Sequence, residues 1–230
     1  MNLLVASVVL FGVPLLASSA LAGPSFEDGM TALNGRDYPK AVEIFGSLGE
    51  RKDTRAQSVL GAMYHAGLGV PVDYKEARRW YLLAAEQGDP GAQFNLGIMY
   101  TMGQGVPQDF KEARSWYSKA ANQGYADAEY NLGILYHNGD GVTKDHREAA
   151  RWYKLAAEKG NTKAQFNLAL MYYRGEDLTK DYVQAYMWAG LSATNGSREA
   201  AILRDDLEKK MTPAQLREAK RLAQEWKPKQ

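Results

Sequence analysis

The chain has 230 residues, of which 45% are hydrophobic and 24% charged, with a formal net charge of +1 and no cysteine. A charge so near zero leaves no basic footprint for nucleic acid. Without cysteine there is no disulfide framework, no thiol nucleophile and no lipid-modified amino-terminal cysteine, so helix packing has to supply the stability.

Residues 1–22 carry no charged side chain, are dominated by Leu, Val and Ala, and end Ala20-Leu21-Ala22 before Gly23. This pattern reads as a secretory signal peptide with cleavage after Ala22. No Lys or Arg follows Met1, and the uncharged run is long enough to leave an uncleaved anchor as the alternative. The small-residue ending and the Gly12 and Pro14 interruptions favour cleavage. The expectation is export to a bacterial periplasm, with a mature chain that starts near Gly23 and keeps no stable membrane insertion.

Residues 23–55 form an amino-terminal capping hairpin. Asp37, Tyr38, Ala41 and Phe45 stand 36 residues ahead of Asp73, Tyr74, Ala77 and Tyr81, with a short Asn34-Gly35-Arg36 linker and Lys40 where later units carry a glutamate. From Ala56 the same text is written at a fixed period of 36: units 56–91, 92–127 and 128–163, then a divergent unit 164–199. Self-similarity at such a period signals stacked units, none able to bury its apolar face alone.

Within the unit from Ala92, the residues Ala92, Leu96, Ile98, Met99 and Tyr100 fall at helical spacing, and Gly103 to Pro107 ends that helix. A second helix opens at Asp109 with Glu112 three residues on, predicting a capping box repeated at Asp73/Glu76 and Asp145/Glu148. Its stripe is Ala113, Trp116, Tyr117, Ala120 and Ala121, and it stops at Gly124, as its copies stop at Gly88, Gly160 and Gly196. The patterns A-x-x-x-L-G-x-x-Y, G-x-G-V, D-x-x-E-A and W-Y-x-x-A-A-x-x-G resemble the Sel-one-like repeat, a relative of the tetratricopeptide repeat. That resemblance implies an all-α fold, a right-handed α/α superhelical solenoid of helix-turn-helix repeats, whose members mostly bind or scaffold proteins.

In the divergent unit, Gly-x-Gly becomes Gly175-Glu176-Asp177, Ala169 replaces the glycine of Gly97, and the aromatic pair reads as shifted to Tyr186 and Trp188. Residues 200–230 make a carboxy-terminal helical cap. Ala200, Leu203 and Leu207 form one stripe, Thr212-Pro213-Ala214-Gln215 opens a last helix, and residues 227–230 read as a frayed tail.

The Gly-x-Gly loops follow no strand and complete no phosphate-binding motif, so they read as interhelical turns. His65 and His137 occupy equivalent positions two units apart, too far to share a metal, and no metal or cofactor is expected. Some cysteine-rich helical repeats have been linked to β-lactams, which leaves an envelope enzyme or accessory acting on peptidoglycan or β-lactams as the alternative. No Ser-x-x-Lys, Lys-Thr-Gly or Gly-x-Ser-x-Gly is present to support it, and the chain reads as a non-enzyme. Asn95, Asn131 and Asn167 read as hydrogen-bonding the adjoining loop.

Positions identical in every copy answer to the scaffold, and positions that change are free for recognition. On the first helix the changing set runs Ser58, Phe94, Tyr130, Phe166, then Ala62, Ile98, Ile134, Leu170, then His65, Thr101, His137, Tyr173. Spacing i, i+4, i+7 places these on one face, with Ala66, Met102, Asn138 and Arg174 at its rim. The family resemblance makes that face concave. The expected partner is a protein or peptide held by His65, Phe94, Thr101, Met102, Tyr130, His137, Asn138, Phe166, Tyr173 and Arg174, with packing between units the competing role for the three aromatics Phe94, Tyr130 and Phe166.

Overall fold

A computed structural model describes residues 23–175 and 178–229; the leader-like segment 1–22 and the pair Glu176 and Asp177 lie outside the described residues. Twelve α-helices and no strand occur among the described residues. Helices α1 (Phe26–Asn34) and α2 (Tyr38–Glu50) form the first hairpin. The repeated hairpins are α3 (Thr54–Ala66) with α4 (Tyr74–Glu86), α5 (Pro90–Met102) with α6 (Phe110–Ala121), α7 (Ala126–Asn138) with α8 (His146–Glu158), and α9 (Thr162–Arg174) with α10 (Tyr182–Thr194). Helices α11 (Arg198–Glu208) and α12 (Pro213–Glu225) close the array. From α1 to α11 each helix packs on the next, and α12 lies against α10, so the chain is an α/α superhelical solenoid.

Helix starts follow from side chains that take up orphan backbone donors. Asp73, Asp109, Asp145 and Asp181 each accept two backbone N–H groups at the start of the second helices. The expected reciprocal box with Glu76, Glu112 and Glu148 does not form. The backbone N–H of each of these aspartates is already donated to a tyrosine carbonyl, Tyr64, Tyr100, Tyr136 or Tyr172, across the loop, so the glutamate has nothing to accept. Glu76 and Glu148 turn instead to Arg79 and Arg151. True capping boxes occur at Ser25/Asp28 and Thr212/Gln215. The first helices begin behind caps that the repeat pattern alone did not single out: Asp53, Asp89, Asn161 and Ser197.

The two loop glycines do different work. Gly67, Gly103, Gly139 and Gly175 end the first helices in the left-handed conformation. The second glycine seats the loop on the preceding unit: a Cβ at Gly69 would lie 2.6 Å from the Tyr38 backbone, and at Gly141 2.7 Å from Phe110. The turn is therefore also an inter-unit contact.

Inside each of the first three repeats a buried tyrosine ring packs against a helix glycine. A Cβ at Gly61, Gly97 or Gly133 would stand 2.7, 2.4 or 2.5 Å from the ring of Tyr81, Tyr117 or Tyr153. In the last repeat both partners change together, to Ala169 and Ala189, both fully buried. Trp188 keeps the register of Trp80, Trp116 and Trp152, so the aromatic pair is not shifted there; the tyrosine alone is lost. Each of the first three tryptophans packs backward into the core of the preceding unit, Trp80 against the first hairpin and Trp116 and Trp152 against the next two. Burial of such a side chain contributes about 2–3 kcal/mol.

A polar ladder runs beside this core. Gln87 donates to Gln57 at 2.7 Å and Gln123 to Gln93 at 2.9 Å; one unit later the pair is Lys159 and Glu129 at 2.6 Å. The exchange keeps a donor facing an acceptor at the same inter-unit joint.

Residues 227–229 are not frayed. The Trp226 ring meets Trp188 edge-on at 6.4 Å. This brings Lys229 to the end of α8, where its N–H donates to the Glu158 carbonyl at 2.8 Å and its ammonium pairs with the Glu158 carboxylate at 2.7 Å. A helix carboxy terminus offers an orphan carbonyl and a negative dipole end, and Lys229 meets both.

Candidate partner-binding site

The i, i+4, i+7 set on α3, α5, α7 and α9 is half-buried along the whole array, apart from exposed Ala62. Across α5, α7 and the start of α9 it opens into one recess of about 500 Å³, lined by Phe94, Ile98 and Tyr130 with Asp127, Asn131, Asn161, Thr162 and Lys163 at its edge. The aromatics serve two roles at once. Phe94 packs on Tyr117 and Tyr125 at 5.9 and 5.2 Å, Tyr130 packs on Tyr153 at 5.9 Å, and Phe166 joins the carboxy-terminal core, yet all three keep part of their surface in solvent. Tyr125 explains a local exception: it stands where other units have a capping Asp or Asn and makes no side-chain cap, exchanging that hydrogen bond for the ring contact with Phe94.

Most of the polar residues predicted for this face are engaged by partners within the chain. His65 Nε2 shares a 2.8 Å hydrogen bond with Gln104 Oε1. The Thr101 hydroxyl donates to the Gly97 carbonyl and meets the Tyr117 hydroxyl at 3.1 Å. His137 stacks on His146 with ring centres 4.9 Å apart. Tyr173 donates to Asp206 at 2.9 Å, stacks on Tyr182 and receives a hydrogen bond from Lys210. Met102, Asn138 and Arg174 are exposed, Met102 at 65% of its surface, and Asn138 donates to Asp140 at 3.0 Å.

Asn131 does not bind the adjoining loop as expected. It donates to the Asp127 carbonyl on its own helix, and Asn167 lies beside Tyr153 on the first-helix face. A second, smaller cavity of about 70 Å³ lies there, lined by His137, Tyr153, Asn167, Leu170, Met171 and Arg174. Burial pushes the Tyr117 phenol up to about 12 and the Tyr81 and Tyr153 phenols higher still, so all three stay protonated at neutral pH.

Sequence reasoning missed Asp127, Asn161 and Lys163, which reach the recess from the starts of α7 and α9, and Ile202, which is 64% exposed on α11. Ile202 stands 36 residues after Phe166, so carrying the repeat register one unit further finds it. Among the described residues no group of three or more His, Asp or Glu is placed to hold a metal ion, and no helix is long and apolar enough to cross a membrane.

The family model described as Sel1 repeat matches residues 54–89, 90–125, 126–161 and 162–197, more than half of the chain. The chain belongs to the Sel1 repeat family. Sel1 repeat proteins are generally protein–protein interaction scaffolds. Each matched unit begins where a first helix begins, since α3, α5, α7 and α9 start at residues 54, 90, 126 and 162. This Sel1 protein is similar to the crystal structure of c5321, described as a protective antigen of uropathogenic Escherichia coli strains with an SLR fold. The two share 36% identity over 87% of this chain and 45% of that one, with a TM-score of 0.76. It thus spans less than half of c5321. A Sel1 repeat protein from Oxalobacter formigenes is similar at 34% identity over 87% of this chain and 85% of that one, also with a TM-score of 0.76. The immunity protein Pa5087 of Pseudomonas aeruginosa, at 21% identity, 88% and 83% coverage and a TM-score of 0.53, shares the fold alone. No curated protein matches.

Proposed function

We propose that this Sel1 repeat protein is an exported, non-catalytic adaptor of the bacterial envelope that grips a peptide, or an extended segment of another protein, on its concave face. The observation that carries the reading is the recess shared by α5, α7 and α9: Phe94, Ile98 and Tyr130 leave apolar surface open to solvent inside a ring of polar groups. Half-buried aromatic rings held by their own cores give contact area at low entropic cost. The hydroxyls of Thr101 and Tyr173 are committed to Gly97 and Asp206, which supports a gripping face over a reacting one. Export rests on the uncharged, Ala-ended segment 1–22.

A displayed library of random peptides selected on the immobilised protein tests the face. Selected peptides are expected to lose binding to Ile98→Arg, in the recess, and to keep it for Leu83→Arg, on the exposed side of α4, with both variants retaining native circular dichroism. Peptides that bind Ile98→Arg as well as the parent overturn the reading. For export, the intact mass of protein recovered from the envelope should correspond to a chain starting at Gly23; a chain starting at Met1 contradicts it.

A further inference from the structure

We infer that the cleft where α10, α11 and α12 meet is a second binding site, one for a short acyl carboxylate: its apolar tail lies over Gly190 and its anionic head meets Arg204 and Lys220. No residue of the concave recess lines this cleft, so the two sites stand or fall separately.

Helices α11 and α12 both pack on α10 and leave beside it a cleft of about 310 Å³. That volume lies at the small end of the range for ligand pockets, about 300–1,000 Å³. The floor is one row of α10, Tyr186, Gly190 and Thr194, with Leu191 beside it. In the earlier second helices the same row carries charge: Arg78 and Glu86 on α4, Arg114 on α6, Lys154 and Glu158 on α8. Helix α10 has no charged residue. The two hydroxyls of the floor are already committed, Tyr186 to Glu208 at 2.6 Å and Thr194 to the Gly190 carbonyl at 3.0 Å. The exchange has therefore turned a charged row into an apolar floor.

The cover that α12 gives to α10 does not account for Gly190. A Cβ built there would meet no atom within 4 Å, whereas at Gly61, Gly97 and Gly133 a tyrosine ring forbids one. Gly190 sits inside α10, where glycine costs helix stability relative to alanine. Leu82, Ser118 and Lys154 show that this register accepts a side chain. The missing side chain keeps the cleft open and relieves no contact within the chain.

The cations come from the two walls, Arg204 on α11 and Lys220 on α12. Arg204 gives Nε and Nη2 to Asp205, and Lys220 stands 3.3 Å from Glu208. These are surface pairs, with the Arg204 and Lys220 side chains 36% and 52% exposed, and such pairs hold weakly. A guanidinium carries five N–H donors and an ammonium three, so both cations have donors left for an incoming anion. Asp205 and Glu208 are outside the lining of the cleft. An apolar floor with a guanidinium and an ammonium above it matches an amphiphile with a carboxylate head.

Isothermal titration calorimetry on the full chain tests this with octanoate, octylammonium and acetate as probes. Octanoate is expected to bind saturably, one molecule per chain, and about tenfold tighter than octylammonium or acetate. Gly190→Leu, which restores the side chain that Leu82 carries at this register, should lose octanoate while its thermal midpoint stays at or above that of the parent. Arg204→Gln and Lys220→Gln leave the floor untouched and should each weaken octanoate several-fold. Absence of saturable octanoate binding, equal affinity for octylammonium, or unchanged octanoate affinity in Gly190→Leu or in both glutamine variants overturns the proposal. A lowered midpoint in Gly190→Leu contradicts the reading of the glycine, and the two glutamine variants then decide the site. Ile98→Arg should bind octanoate as the parent does; loss of octanoate there puts the ligand in the concave recess and overturns the cleft.

Discussion

Exchange of the glycine under a buried tyrosine tests the packing that stacks these repeats. In Gly97→Ala the new methyl would fall 2.4 Å from Tyr117 Cε1 and 2.5 Å from Cδ1, and the ring cannot swing away because Tyr117 is 2% exposed. Overpacking of this kind costs about 1–3 kcal/mol, offset by about 1 kcal/mol because alanine is the better helix residue. The net expectation is a loss of up to about 2 kcal/mol. Tyr117→Ala alone empties the site and should cost about 3–5 kcal/mol. In that background the alanine at 97 meets no ring, so Gly97→Ala should turn from destabilising to stabilising by about 1 kcal/mol. The chain itself carries this combination at Ala169 and Ala189. Urea unfolding of the four proteins, followed by both circular dichroism and tryptophan fluorescence so that partial unfolding of the array is seen, yields the coupling as the departure from additivity. A Gly97→Ala change equally destabilising in both backgrounds refutes the reasoning.

The polar ladder gives a second test. Lys159→Ala leaves the Glu129 carboxylate, whose side chain is 3% exposed, without its cation and should cost about 3–5 kcal/mol, while Glu129→Gln with Lys159→Gln restores the pairing of the two preceding joints and should stay within about 1 kcal/mol of the parent by urea unfolding. Alkali gives a third. Tyr117 titrates near 12 in the fold and near its ordinary value of 10 when unfolded, so its contribution is fully present below pH 10 and is lost as pH rises toward 12. Denaturant midpoints measured from neutral pH upward should therefore fall above about pH 10, and a flat profile contradicts the buried, protonated phenol. Removal of residues 226–230 takes away the Trp188 contact and the Lys229 clamp on Glu158, and should lower the thermal midpoint by several degrees.

Much of the fold was legible because each unit punctuates itself: Asp109 opens a helix, Gly103 and Gly124 stop one, and the copies at other units agree. What escaped was whatever depends on two units meeting. Asp109 was recognised as a cap, but that its N–H is spent on Tyr100 shows only once the loop is folded back, and this is why Glu112 does not complete the box. The tyrosine lost at Ala189 was visible beside the glycine lost at Ala169, yet their contact needs the hairpin closed. The same holds for the site. The i, i+4, i+7 rule found Phe94, Tyr130 and the face they share, since that rule needs one helix only. The partners that draw the polar residues inward lie far along the chain, Gln104 39 residues from His65 and Asp206 33 from Tyr173, and Lys163 reaches the recess from the next unit.

Nuclear magnetic resonance mapping of a selected peptide on the isotopically labelled protein bears most directly on the gripping face. The methyls of Ile98 and Ile134 and the rings of Phe94 and Tyr130 should shift or gain protection on binding, while Leu83 on the opposite helix stays unmoved. Perturbations confined to α4, α6 and α8, with the recess silent, would contradict the account.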